Sequence, residues 1–355
     1  MAYLRICGVR WISAAVLLLL MLVSVGIRGG GAQEGFSMRN SARALALGLD
    51  GRIYVGTFGN GVYRSPDAGA HWEKIMNGLD DPYILTLHPV SKDVIFAGTA
   101  RKGVFRTRDG GDHWEKVNTG LGPTEVKALL YHGKTLYAGT GDGVFRSANH
   151  GDQWEPFNAG MRRILVRTLV VDAKGVLFAG TEGKGIFVFK PKAEGWEQST
   201  RGFKSEPGPG ILETFIRTLT IGPDGTLYGG TFDGGVYIST TGGERWTWWG
   251  KGMENESIRA VLVGPDGMLY AGTGKGVYAR APKDEFWKLI SSELEDDSVQ
   301  AMVIDSSGTL FVGTNYGLYK GDIKGKWTAV TPAYSQTGLP PSREKRPVET
   351  VADRR

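Results

Sequence analysis

Basic side chains recur at one register of this sequence. Arg43, Leu85, Lys127, Arg167, Arg217, Arg259 and Gln300 each stand 13 residues before a repeated glycine, or 12 in the case of Lys127. Five of these seven are cationic. Like charges converging on one opening repel each other and cost stability, so an anionic ligand is the chemistry such a cluster points to. Arginine suits that task because its fork of donors grips carboxylate or phosphate in a bidentate fashion. The competing reading is structural: each arginine bonds a carbonyl or carboxylate of the neighbouring unit and has been copied by duplication.

Other chemistry is poorly served. The five histidines include His71, His113 and His150, which fall in turns of three different repeats, so solvated turn residues are expected rather than metal ligands. No cofactor or metal is expected. Glycoside hydrolysis needs two facing carboxylates, and nothing in the spacing of the 37 acidic residues selects a pair. The phrase FIRTL at 215–219 resembles an arginine motif of sialidases, yet Arg43, Arg167 and Arg259 occupy the same place in other repeats. No nucleophile elbow, phosphate loop or dinucleotide fingerprint occurs, since every GxG lies in a predicted hairpin turn. Nucleic acid is not expected as a partner, because no aromatics are aligned along a groove.

The elements that must carry these residues are set by a repeat. An aromatic-x-Gly-Thr phrase recurs with glycines at Gly56, Gly98, Gly139, Gly180, Gly230, Gly272 and Gly313, at intervals of 42, 41, 41, 50, 42 and 41 residues. A tryptophan follows each phrase: Trp72, Trp114, Trp154, Trp196, Trp246, Trp287 and Trp327. Within the first repeat, Arg43 to Leu47, Arg52 to Thr57, Val62 to Ser65 and the stretch from Trp72 through Ile75 are predicted strands. Asp50-Gly51 and Gly59-Asn60-Gly61 supply the tight turns between them. Four antiparallel strands per unit of about 40 residues make a propeller blade. The predicted fold is all-β, a seven-bladed β-propeller of four-stranded antiparallel blades over residues 41–330. No strand is available to complete a blade from the other end of the chain, so closure by face packing is expected, with 33–40 or 328–335 as alternative latches.

Between the third and fourth strands stand SPDAGAHW (65–72), TRDGGDHW (107–114), SANHGDQW (147–154) and STTGGERW (239–246). These resemble the Asp-box, or BNR, motif, in which a hydroxyl and a carboxylate close a hairpin turn and tryptophan packs between blades. Asp67 and Asp109 match it, whereas Asn149 and Thr241 replace the acid. Seven such blades resemble the photosystem II stability/assembly factor family and its bacterial relatives. That resemblance implies a non-catalytic scaffold that binds a partner through a basic patch on one face. Sialidases, polysaccharide hydrolases and bacterial sensor propellers carry similar repeats, so a carbohydrate-active hydrolase or a sensory ligand-binding propeller is the alternative.

Strand alternation puts the start of each first strand, the turn between strands two and three, and the end of strand four on one face. Arg101, Lys102, Arg162, Arg163, Lys184, Arg201, Lys204, Lys251 and Lys275 are therefore expected beside the ring. The long interval places an insertion near Phe203 to Glu213, with Trp248-Trp249 nearby and Trp249 expected as an exposed anchor. The predicted binding set is Arg43, Lys127, Arg162, Arg163, Arg167, Arg217, Trp249 and Arg259.

The remaining segments bear on location. Arg5 and Arg10 precede an apolar run from Trp11 to Ile27, then the small residues Gly29 to Ala32. This is the order of a secretory signal over 1–32, with an uncleaved N-terminal anchor as the alternative. A short linker (33–40) and a flexible tail (331–355) flank the propeller. Cys7 is the only cysteine and lies inside the signal-like segment, so the mature propeller has no disulfide or thiol nucleophile. A net charge of +5 is too modest to indicate nucleic acid. The expected protein is exported, periplasmic or extracellular, monomeric, and binds a protein segment or an anionic ligand; membrane contact is expected only through the possible anchor.

Overall fold

A computed structural model of the protein describes residues 41–203, 214–253, 256–292, 294, 298–322 and 324–330. The signal-like segment, the linker, Lys204 with the rest of the insertion up to Glu213, and the tail lie outside these residues. The described chain forms seven four-stranded antiparallel sheets, each built from four consecutive strands. The first blade comprises Ala42–Leu47, Ile53–Thr57, Val62–Ser65 and Glu73–Lys74, within a residue or two of the expected bounds. The innermost strands of the other blades are Ile84–Pro89, Val126–His132, Val166–Val171, Ile216–Ile221, Ile258–Val263 and Val299–Ile304. Second strands such as IYVGT and IFAGT are buried along their whole length, because both faces of a blade press on neighbours.

Each residue of the repeated phrase has a defined task. A Cβ added at Gly56 would meet Ile84 Cγ2 at 2.5 Å, and one at Gly272 would meet Val299 Cγ1 at 2.5 Å. Glycine is thus required so that the innermost strand of the next blade can lie against the phrase. The threonine is fully buried and its Oγ1 donates to a turn glycine carbonyl in each blade, from Thr57 to Gly61 (2.9 Å) through Thr314 to Gly317 (3.1 Å). That bond closes the turn between strands two and three and fixes the residue after it at the channel mouth. The tryptophan of each blade donates its Nε1–H to the preceding blade. Trp114 reaches Ile75 O (3.1 Å), Trp154 reaches Val117 O (2.8 Å), and Trp287 reaches Trp249 O (2.9 Å).

Among the described residues, ring closure uses the same devices and exchanges no strand. Trp72 Nε1 donates to Val330 O at 2.7 Å, and a Cβ on Gly313 would meet Ala42 O at 2.7 Å. Ala42, Ile53, Val55, Phe311, Leu318 and Val330 form one buried cluster across this seam. Face packing joins the first and last blades among the described residues, where Trp327–Ala329 is the seventh blade's own fourth strand; the alternative latch residues 33–40 and 331–335 lie outside them.

A cationic ring as candidate functional site

The seven ring residues occupy one structural feature. In the first blade the register runs Ala42 opposite Thr57 and then Ala44 opposite Gly56, which leaves Arg43 as the extra residue of a β-bulge. The same skip isolates Leu85, Lys127, Arg167, Arg217, Arg259 and Gln300 in the other blades. A bulge inserts an unpaired residue and re-aims its side chain, so residues two apart no longer alternate. Together these seven line a cavity of about 190 Å³. The sequence-predicted set therefore converges at Arg43, Lys127, Arg167, Arg217 and Arg259.

Their charges are unequally compensated. Arg167 forms an ion pair with Glu182, and Lys127 Nζ lies 2.5 Å from Glu125 Oε1. At these two residues a carboxylate of the same blade already meets the charge. Arg259 Nη1 donates to Ser298 Oγ (2.7 Å) and Val299 O (3.0 Å). Gln300 Nε2 donates to Asn315 Oδ1 at 2.9 Å. Arg43 and Arg217 have no ion pair among the described residues, and the Nε of each is buried without a hydrogen-bond partner. Arg43 lies over the ring of Phe58 at 5.3 Å and Arg217 over that of Phe232 at 4.4 Å, where cation–π attraction substitutes for an acid. Burial, reinforced by Arg167, Arg259 and Arg43, pushes Arg217 down to about 10. Burial and the charges of Arg259 and Arg167 lower Arg43 in the same way. Both remain cationic at neutral pH.

A second tier, which sequence reasoning missed, sets what Arg43, Arg167 and Arg217 meet. It is the residue directly after each Gly-Thr, 15 residues beyond the ring residue: Phe58, Ala100, Glu182, Phe232, Gly274 and Asn315, with Gly141 at 14 in the third blade. Phe58, Glu182 and Phe232 each donate a backbone N–H, at 3.0 Å, to the carbonyl two residues before their ring partner. Two aromatic pairs stand beside these arginines: Phe215 and Phe232 lie 5.3 Å apart, and Phe58 and Tyr83 5.0 Å. The signal was available in the sequence as a constant offset from the repeat.

The outlying predicted residues are placed differently. Arg162 is exposed and lines a separate groove of about 720 Å³ between blades three and four, beside Arg146, Phe157 and Trp196. Arg163 is exposed with a positive φ of 58°, and its N–H bonds Asp142 Oδ1 at 2.6 Å. Neither lines the ring cavity. Trp249 is not an exposed anchor. Its ring packs 5.7 Å from Trp287 and 5.8 Å from Tyr228, with Arg280 at 3.4 Å over its face. It adjoins the core between blades five and six because the fourth strand turns that side chain inward. The wider basic face is also partly neutralised: Arg101 pairs with Asp81 (3.2 Å), Lys102 with Asp80 (2.5 Å), Lys275 with Glu256 (2.6 Å), and Lys251 with Glu285.

The turns between strands three and four bond internally. Ser65 Oγ accepts the N–H of Gly69 (2.8 Å), and Asp67 Oδ1 accepts that of His71 (2.8 Å). The His71 side chain and backbone hold the Asp67 carboxyl down to about 2. Thr107, Asp109 and His113 repeat the arrangement. These residues close turns, on the face away from the ring. Among the described residues no group of three or more His, Cys, Asp or Glu side chains is placed to hold a metal ion. No helix among them is long and apolar enough to cross a membrane.

No protein-family profile and no curated protein sequence matches the chain. Solved structures do. The extracellular domain of the two component system BT4673 from B. thetaiotaomicron aligns with a TM-score of 0.69 at 17% identity, over 79% of this chain and 38% of that one. The chain thus spans under two fifths of that domain's length. YCF48 bound to D1 peptide aligns with a TM-score of 0.61 at 15% identity, over 78% of this chain and 90% of that one. A GH74 xyloglucanase from Xanthomonas campestris aligns with a TM-score of 0.64 at 17% identity, covering 84% and 55%. At such identities the likeness establishes the seven-bladed propeller fold and nothing beyond it.

Proposed function

We propose that this chain is a non-catalytic, exported scaffold of the assembly-factor kind, whose cationic ring binds an acidic segment of a protein partner. The observation that carries this reading is the bulge-mounted ring, in which Arg43 and Arg217 form no ion pair among the described residues and each keeps a buried Nε without a hydrogen-bond partner. Burying a cation without compensation is costly, and a carboxylate arriving from a partner removes that cost. A cleft lined by one sign of charge also speeds capture of an oppositely charged partner. YCF48, a propeller of this fold, is seen with D1 peptide bound, which supports a peptide as ligand here. Export is supported by the order of Arg5, Arg10, the apolar run and the small residues to Ala32. The turns that resemble Asp-boxes have a structural role in this reading.

The test is fluorescence anisotropy with a Glu- and Asp-rich peptide against its Gln- and Asn-substituted counterpart. The acidic peptide should bind, its affinity should fall as salt rises, and Arg167→Glu/Arg217→Glu/Arg259→Glu should weaken it at least tenfold with an unchanged circular dichroism spectrum. Equal binding of the amide peptide would overturn the reading. So would turnover of a sialyl or polysaccharide substrate that disappears with a single carboxylate.

A further inference from the structure

We propose that the ring, when no partner fills it, holds one free tetrahedral oxyanion of the phosphate or sulfate class, gripped chiefly by Arg43 and Arg217. This rests on reading the ring as an anion site and specifies what that site takes.

Size comes first. The cavity of about 190 Å³ is smaller than the roughly 300–1,000 Å³ of pockets that enclose drug-sized ligands. It suits a single hydrated ion or one acidic group entering end-on, and not a length of backbone. Charge comes second. Two acids beside the ring are already committed, Glu182 to Arg167 and Glu125 to Lys127, while Asp233 acts on Arg217 through its charge without forming an ion pair. Arg43 and Arg217 meet phenylalanine at the offset where Arg167 meets Glu182, so their charge is left for a ligand. A buried donor without an acceptor is unfavourable, and both guanidinium groups have an Nε in that state.

Shape selects among anions. Arg43 belongs to blade one and Arg217 to blade five, which stand on opposite sides of a seven-membered ring. A ligand answering both must present acceptors in divergent directions. A tetrahedral oxyanion does so, whereas a planar carboxylate turns both oxygens to one side. Such an ion would compete with an acidic partner for the same arginines, which makes oxyanion concentration a control on partner binding.

Thermal melts and calorimetry with inorganic phosphate, sulfate, acetate and chloride at matched ionic strength test this. Phosphate and sulfate should raise the melting temperature beyond chloride, with acetate at least tenfold weaker in affinity. Arg43→Gln/Arg217→Gln should lose the phosphate response by at least tenfold. Arg217→Lys, which keeps the charge and loses the fork, guards against a folding defect and should weaken phosphate severalfold. Glu182→Gln should tighten phosphate severalfold, because it frees Arg167. A phosphate effect no larger than that of chloride, or one untouched in Arg43→Gln/Arg217→Gln, would overturn the proposal. Acidic-peptide binding measured in phosphate-free buffer separates the two readings. If the peptide binds while phosphate does not, only the oxyanion inference fails; if neither binds, the ring is not an anion site.

Discussion

At the scale of single residues, function and stability meet in what Arg43, Arg167 and Arg217 each encounter 15 positions later. Arg167 with Glu182 is a closed ion pair, whereas Arg217 over Phe232 is a charge held ready. Gly274 is the corresponding neighbour of Arg259, and a Cβ there would meet only Arg259 Nη2, at 3.8 Å. Gly274→Glu therefore has room and no left-handed backbone to oppose it. It should copy the Arg167–Glu182 pair, lower acidic-peptide affinity about tenfold, and change stability by less than about 1 kcal/mol, as for other partly exposed pairs. Anisotropy and a thermal melt on the same sample check both halves. Unchanged peptide affinity would mean that the charge of Arg259 plays no part in recognition.

At the scale of elements, cations on third strands tie blades together at their outer edge. Arg64 Nη1 donates to Gly110 O (2.9 Å) and Arg106 Nη1 to His150 O (2.6 Å), each in the turn of the next blade. Lys320 Nζ reaches Ala68 O at 3.4 Å across the closing seam. Arg106 is almost wholly buried and also pairs with Glu115 (2.7 Å) and Asp152 (2.8 Å). Arg106→Ala should cost about 1.5–3 kcal/mol, the range for hydrogen bonds to charged groups. Lys320→Ala, at an exposed edge, should cost less than about 0.5 kcal/mol. Urea denaturation of the two variants gives the comparison, and equal losses would show that burial does not set the strength of these ties. Arg146, in the corresponding place of blade three, instead pairs with Glu155 (2.6 Å) and lies over Phe157 at 4.6 Å. The groove of about 720 Å³ opens at that seam.

At the scale of the whole molecule, the described residues close the ring without sharing a strand between its first and last blades. Its integrity then depends on side-chain packing at one seam, where Gly313 lies against Ala42 and Trp72 bonds Val330. Gly313→Val places branched carbon where a single Cβ would already stand 2.7 Å from Ala42 O. Overpacking of this kind costs about 1–3 kcal/mol, and here it should also part the first and seventh blades. Limited proteolysis should then cut the variant near the seam well before the wild type. A variant as resistant and as stable as the wild type would show that closure does not depend on this contact.

The repeat, the four-strand blade and the count of seven were legible because glycine, threonine and tryptophan each perform a task that only their own chemistry allows. Glycine admits the next blade, threonine closes a turn, and tryptophan spans a seam with its N–H. The convergence of Arg43, Lys127, Arg167, Arg217 and Arg259 could likewise be read, since equal offsets in equal repeats map to equal places on a ring. Which of those charges stays uncompensated was not legible in this way. That depends on a residue 15 positions away being brought alongside by a hairpin, on a bulge turning the ring residue inward, and on the fourth strand turning Trp249 toward the core. Periodicity records which places are equivalent; only packing in three dimensions determines what each side chain meets there.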